Sequence, residues 1–121
     1  GLLGVSGISA DMRELLASDQ PMAALAVDLY CYRAAREIGA LAVQAGGLDA
    51  LVFTGGIGEH AAEVRRRVCL QSEWLGIRVN PEANARHELR ISAGNSSVDV
   101  LVIPTNEEWM MAHHAQTLLA L

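Results

Sequence analysis

Ala50-Leu51-Val52-Phe53-Thr54-Gly55-Gly56-Ile57-Gly58-Glu59-His60 carries the first clear message of this chain. Ala50 to Phe53 is short, continuous and apolar, which reads as a strand buried on both faces. Glycines at 55, 56 and 58 follow at once, and a helix is predicted from about Ala61 to Trp74. Open α/β sheets bind ligands at the carboxyl ends of their strands. Glycine there lets a backbone approach a ligand closely, since it has no Cβ. A helix N-terminus adds free N–H groups and partial positive charge. Two other readings stay open. One is a tight turn without a ligand. The other is a dinucleotide fingerprint, Gly56-x-Gly58-x-x-Ala61, and with it a nicotinamide-dependent oxidoreductase. Glu59 weighs against that one, because it sets a carboxylate inside a loop meant for pyrophosphate. The acid expected after the next strand is also not clear, with Asn80 and Glu82 there.

Upstream, a long helix is predicted over Pro21 to Ala45, with Ala24, Val27, Cys31, Ala34, Ile38 and Leu41 along one face. Gly46-Gly47 ends it as a C-cap. Asp11 to Ala17 reads as a short helix, and Gly1 to Ser9 as a turn-rich loop. Downstream, Gly76 to Asn80 and Arg90 to Ser92 read as short extended pieces, and Pro81 to Glu88 as a helix or a loop. Val98 to Ile103 is a second buried strand, closed by Pro104, and Glu107 to Leu119 a last helix. This alternation predicts an α/β layer with a mostly parallel sheet flanked by helices.

The 121 residues suffice for one core, and 51% hydrophobic with 19% charged residues excludes a disordered chain. A net charge of −5 argues against nucleic-acid or anionic-membrane partners. All nine basic residues are arginine, so neither a P-loop lysine nor a Schiff-base lysine is present. Cys31 and Cys69 read as reduced core thiols of a cytoplasmic protein. No apolar run is long enough for a membrane span. The start shows no signal-peptide pattern. It also lacks Met, which suggests a piece of a longer protein.

Two further segments are candidates for chemistry. In Pro104-Thr105-Asn106-Glu107-Glu108, the spacing Thr105-x-x-Glu108 is a capping box that occupies Glu108 and leaves Glu107 free. A free carboxylate there suits Mg²⁺, held through water, although two first-turn acids also suit the helix dipole alone. Asp11-Met12-Arg13 can pair with the polar edges of a nucleotide while Met12 touches the base; a surface ion pair at a helix start reads equally well. His60, His87, His113 and His114 lack metal-ligand spacing, so no zinc or iron site is expected. Trp74 and Trp109 read as core or domain-interface anchors.

At three places the chain resembles the acetate kinase (acetokinase) family: Gly1 to Arg13, Leu51 to His60, and Ile103 to Glu108. Their order and spacing agree with the family, and the resemblance covers nearly the whole chain. It implies the C-terminal part of an actin-like, sugar-kinase-like ATPase, with residues 1–121 as the nucleotide-binding segment of a larger two-domain kinase. It also implies direct phosphoryl transfer from ATP to acetate, giving ADP and acetyl phosphate, with Mg²⁺. Propionate or butyrate is the alternative acceptor, and a homodimer the expected assembly. Asp11, Met12 and Arg13 would border the adenosine on one side. Gly55, Gly56, Ile57, Gly58, Glu59 and His60 would form the other, and Glu107 would help to position Mg²⁺. His60 stands where many relatives carry Asn, which leaves backbone contacts as the expected ones. The family's catalytic groups fall upstream of Gly1. No catalytic residue is therefore expected in this segment, and the isolated chain is expected to be inactive.

Overall fold

β1 (Ala50–Phe53) lies entirely buried and runs parallel to β2 (Asp99–Val102), in register from Ala50 opposite Asp99 to Phe53 opposite Val102. These coordinates are a computed structural model, which describes residues 1–105. Helices α1 (Leu2–Ser6), α2 (Met12–Ala17) and α3 (Pro21–Ala45) precede β1. Between the strands come α4 (Gly55–His60), α5 (Ala62–Gln71), a 3-10 turn (Glu73–Leu75) and α6 (Pro81–Ala85). The fold is α/β, a parallel strand pair flanked by helices, as its alternating pattern predicts. The crossover from one strand to the next through helices is what parallel pairing requires.

The core joins Leu51, Phe53, Val100 and Val102 of the sheet to Val27, Cys31 and Ile38 of α3 and Val64 and Val68 of α5. α3 has the predicted bounds, and Gly46 closes it at φ 77°, a left-handed conformation that glycine adopts without a Cβ clash. Its buried face is slightly rotated from the predicted one. Ala23, Ala26 and Ala42 are buried, while Ala24 is exposed. Both cysteines are free and buried, and burial pushes the Cys69 thiol up to about 12.

Four expectations need correction. The supposed opening loop holds α1, because Leu2 and Val5 find apolar partners in the core. The glycine loop is itself helical, since Gly55 to His60 form α4. The helix expected over Ala61 to Trp74 is split: Ala61 leaves helical geometry at φ −103°, ψ 81°, and α5 ends at Gln71 before the 3-10 turn. Of the two readings of Trp74, core or domain-interface anchor, its 67% exposure removes only the first; its ring lies against the backbone of α3 at Gly39. The two short extended pieces are present only as single antiparallel bridges, Val79 with Ser92 and Arg90 with Leu101. Pro81 to Ala85 resolves as helix, capped by Asn80, whose Oδ1 accepts from the Ala83 N–H at 3.0 Å. The expected helix Glu107–Leu119, with Glu107, Glu108, Trp109, His113 and His114, lies outside the described residues.

Candidate functional site

Parallel pairing brings the carboxyl ends of β1 and β2 to one edge. The Ile103 N–H donates to the Phe53 carbonyl (2.9 Å), and the Thr54 hydroxyl to the Ile103 carbonyl (2.7 Å). Thr54 is thus spent on β2, and no side chain caps α4. The chain beyond β2 stays close to α4: the Thr105 N–H and hydroxyl both lie 3.4 Å from Glu59 Oε2, long for hydrogen bonds. The two chain reversals past the buried strands therefore share one side of the molecule.

A cleft of about 360 Å³ opens beside this edge. Ala10, Asp11, Met12 and Arg13 line one wall, and Gly56, Ile57, His60 and Ala61 the other. Its volume falls in the range of small-molecule sites. Two segments more than forty positions apart in sequence thus meet across one opening, as the resemblance implies. Nothing stands within 4 Å of where a Gly56 Cβ would point, so this backbone is open to a ligand.

The individual side chains divide the work unevenly. Asp11 is the N-cap of α2: its Oδ1 accepts from the Arg13 N–H at 2.9 Å, which fixes the start of the helix. The Arg13 guanidinium pairs with Asp11 Oδ2 at 3.0 Å and is otherwise exposed. That pair holds the Asp11 carboxyl below its ordinary range, so the wall carries both charges at neutral pH. Met12 reaches the cleft but is 4% exposed and belongs to the core. Gly55, Gly58 and Glu59 do not line the cleft. Gly55 supplies the turn into α4 at φ 77°. Gly58 lies on β1, where a Cβ would stand 3.2 Å from the Phe53 carbonyl carbon. Glu59 faces Thr105. Glu107, the expected metal residue, lies outside the described residues, and among those described no cluster of three or more His, Cys, Asp or Glu has metal-holding geometry.

One residue beside the cleft escaped the sequence reading. Arg65 of α5 is completely buried. Its Nε donates to Asn84 Oδ1 (2.7 Å), one terminal nitrogen to the carbonyls of Gly58 (2.8 Å) and Glu59 (2.9 Å), and the other to the Asn84 carbonyl and His87 Nδ1, both at 2.7 Å. A signal for it existed. Ala61, Arg65, Val68, Cys69 and Ser72 fall on one helical stripe, and every one of them is buried.

Comparisons with known proteins show the family and the fold. The model of the acetokinase family matches residues 1–113. Acetate kinase of Rhodopseudomonas palustris (strain TIE-1) is 63% identical over 116 residues, covering 94% of this chain and 29% of that protein. Acetate kinase of Nitrobacter hamburgensis is 50% identical over 119 residues, 98% of this chain and 30% of that one. Among solved structures, Porphyromonas gingivalis acetate kinase superposes with a TM-score of 0.82 at 41% identity, over 97% of this chain and 31% of that one. A propionate kinase from Francisella tularensis superposes at 0.81 and 38%, over 98% and 31%. The chain thus spans about 30% of the length of the relatives it matches. With all three stretches accounted for over nearly its whole length, this chain belongs to the acetokinase family.

Proposed function

We propose that this chain is the nucleotide-binding segment of a longer, two-domain kinase that moves a phosphoryl group between ATP and acetate. One observation carries the reading: Asp11–Arg13 and Gly56–Ala61 face each other across a cleft at the carboxyl edge of the parallel pair. Adenosine lies between these walls. The Gly56 backbone admits it closely, and the flat Arg13 guanidinium stacks on a base or ribose face. The apolar flank of the cleft comes from Ile57 and Met12. His60 contributes mainly backbone.

Phosphoryl transfer depends on positioning and on neutralising charge at the transferring group. The described part of the cleft offers one guanidinium, Arg13, and that is already paired with Asp11. The remaining groups belong to other parts of the longer protein. Mg²⁺, when bound, neutralises phosphate charge; Glu107 is a hard oxygen donor of the right chemistry for it, two residues past Thr105. The acceptor is read as acetate rather than propionate, because the relatives of highest identity reported above are named acetate kinases. The full-length protein works as a homodimer in the cytoplasm. No described helix is long and apolar enough to cross a membrane.

A chimera tests this. This chain replaces the matching third of the R. palustris protein, and acetyl phosphate formation is followed with ATP and acetate. Saturable, ATP-dependent turnover is expected from the chimera and background from the 121-residue chain alone. Turnover by the isolated chain, or tighter binding of NADH than of ADP, would overturn the assignment.

A further inference from the structure

Arg65 presents a problem of energetics: an arginine is fully buried, and among the described residues no carboxylate pairs with it. Burying a charge is expensive, and its neutral partners return only part of that cost. Yet every N–H of the guanidinium, five in all, meets an acceptor. Where these acceptors lie suggests what the cost secures.

Two are the carbonyls of Gly58 and Glu59, in the last turn of α4. The last carbonyls of a helix have no partner within it and carry partial negative charge. In α4 they turn inward, because Ala61 breaks the helix and α5 starts one residue later. A guanidinium from α5 serves them there. The other acceptors are Asn84, on α6, and His87 just beyond it. Asn84 is fixed in turn, since its amide donates to the Ala62 carbonyl at 2.9 Å. His87 holds φ 53°, a left-handed conformation uncommon outside glycine. For Nδ1 to accept from Arg65, the ring must be neutral with its proton on Nε2. Burial, the facing Arg65 charge and His60 all hold the His87 pKa below its ordinary value, which agrees with that form.

We propose that Arg65 is a positioning residue: it caps the buried C-terminus of α4 and ties it to Asn84 and His87, so that the Gly56–His60 wall keeps its place across from Asp11–Arg13. The inference rests on the nucleotide reading of that cleft. It assigns no contact between Arg65 and the nucleotide itself.

The test uses the 121-residue chain and two variants, Arg65→Lys and His87→Gly. Lysine keeps the charge but cannot reach five acceptors. Glycine suits the left-handed backbone at 87 and leaves Arg65 in place while removing the imidazole with its Nδ1 acceptor, so it serves if Arg65→Lys does not fold. Amide hydrogen exchange is read at Glu59 and His60 in α4 and at Ala61, its C-cap, against Leu51 to Phe53 in β1, with ADP titrated in parallel. Loss of charge-assisted hydrogen bonds predicts exchange in α4 faster by about tenfold or more relative to β1 for Arg65→Lys, and by about threefold for His87→Gly. ADP affinity should fall in the same order. Equal acceleration in α4 and β1 would show a generally structural arginine and overturn the proposal, as would unchanged α4 exchange. If the parent chain fails to bind ADP, the nucleotide reading suffers, while the exchange ratio still decides whether Arg65 holds α4.

Discussion

The two walls of the cleft are built on opposite principles. The charged part of the Asp11–Arg13 wall is local: a cap, and an ion pair two residues apart whose Arg13 side chain is in solvent, with Met12 between them anchored in the core. The α4 wall is assembled from distant parts. It needs β1 under Gly58, α5 to supply Arg65, and α6 with His87 to hold that arginine in place. Arg13 can therefore change without disturbing the core, although Met12 beside it cannot, whereas the α4 wall has no residue so independent of the fold. Ligand recognition and fold stability are separable on one side of the cleft and coupled on the other.

The largest blow to this contrast should come from Arg65→Met. It strands the carbonyls of Gly58, Glu59 and Asn84, and at the usual cost of unpaired buried groups the loss is about 3 kcal/mol or more. Urea unfolding measures it; a loss no greater than at an exposed arginine would erase the difference between the walls. Next comes Gly58→Ala. Its methyl would press on the Phe53 backbone, and such overpacking costs about 1–2 kcal/mol, seen in the same unfolding curves. Arg13→Ala sharpens the comparison from the other side. Its melting midpoint should match the parent, while ADP binding by calorimetry weakens about three- to tenfold for a lost stacking cation. A shifted midpoint with unchanged binding would reverse the roles assigned here.

The smallest effect is expected outside the cleft, on α5. Glu63 accepts from Arg66 and Arg67, each at 2.7 Å, and these partners, Arg66 first, hold its pKa at about 2 against an ordinary 4.5. Because the folded value is depressed, the stabilisation is complete above about pH 4.5 and disappears as the pH falls through about 2. Glu63 is 38% exposed, so solvent screens the pairs and the effect is small. Glu63→Gln should flatten the fall of the urea midpoint across this window while leaving its neutral-pH value nearly unchanged. An equally steep fall in the variant would place the acid sensitivity elsewhere.

Elements with strong local signals were legible from sequence. α3 and β1 have their predicted bounds because a long periodic face and a short apolar run each admit one reading. α1 was hidden by Gly1, Gly4, Ser6 and Gly7, whose local preference for turns is overridden when Leu2 and Val5 pack against the core. Gly55, Gly56 and Gly58 misled in the same way: their low helix propensity suggested a loop, but the approach of Gly58 to Phe53 places them on a helix. The meeting of Asp11–Arg13 with Gly56–Ala61 is a long-range contact. No spacing within either segment encodes it, and family resemblance alone anticipated it. Arg65 sits on a buried stripe next to Arg66 and Arg67, and what sets it apart from them, its acceptors at Gly58, Glu59, Asn84 and His87, is tertiary and not written in the local sequence.

The central claim is that adenine nucleotide occupies the cleft between these two walls. The most direct measurement is an ADP titration of the isotope-labelled chain followed by amide chemical shifts. The account predicts saturable shifts concentrated at Asp11 to Arg13 and Gly56 to Ala61, with far weaker responses to NADH. Shifts centred instead on the separate groove of Leu2, Val5, Leu29 and Tyr30, or none in the cleft at saturating ADP, would contradict it.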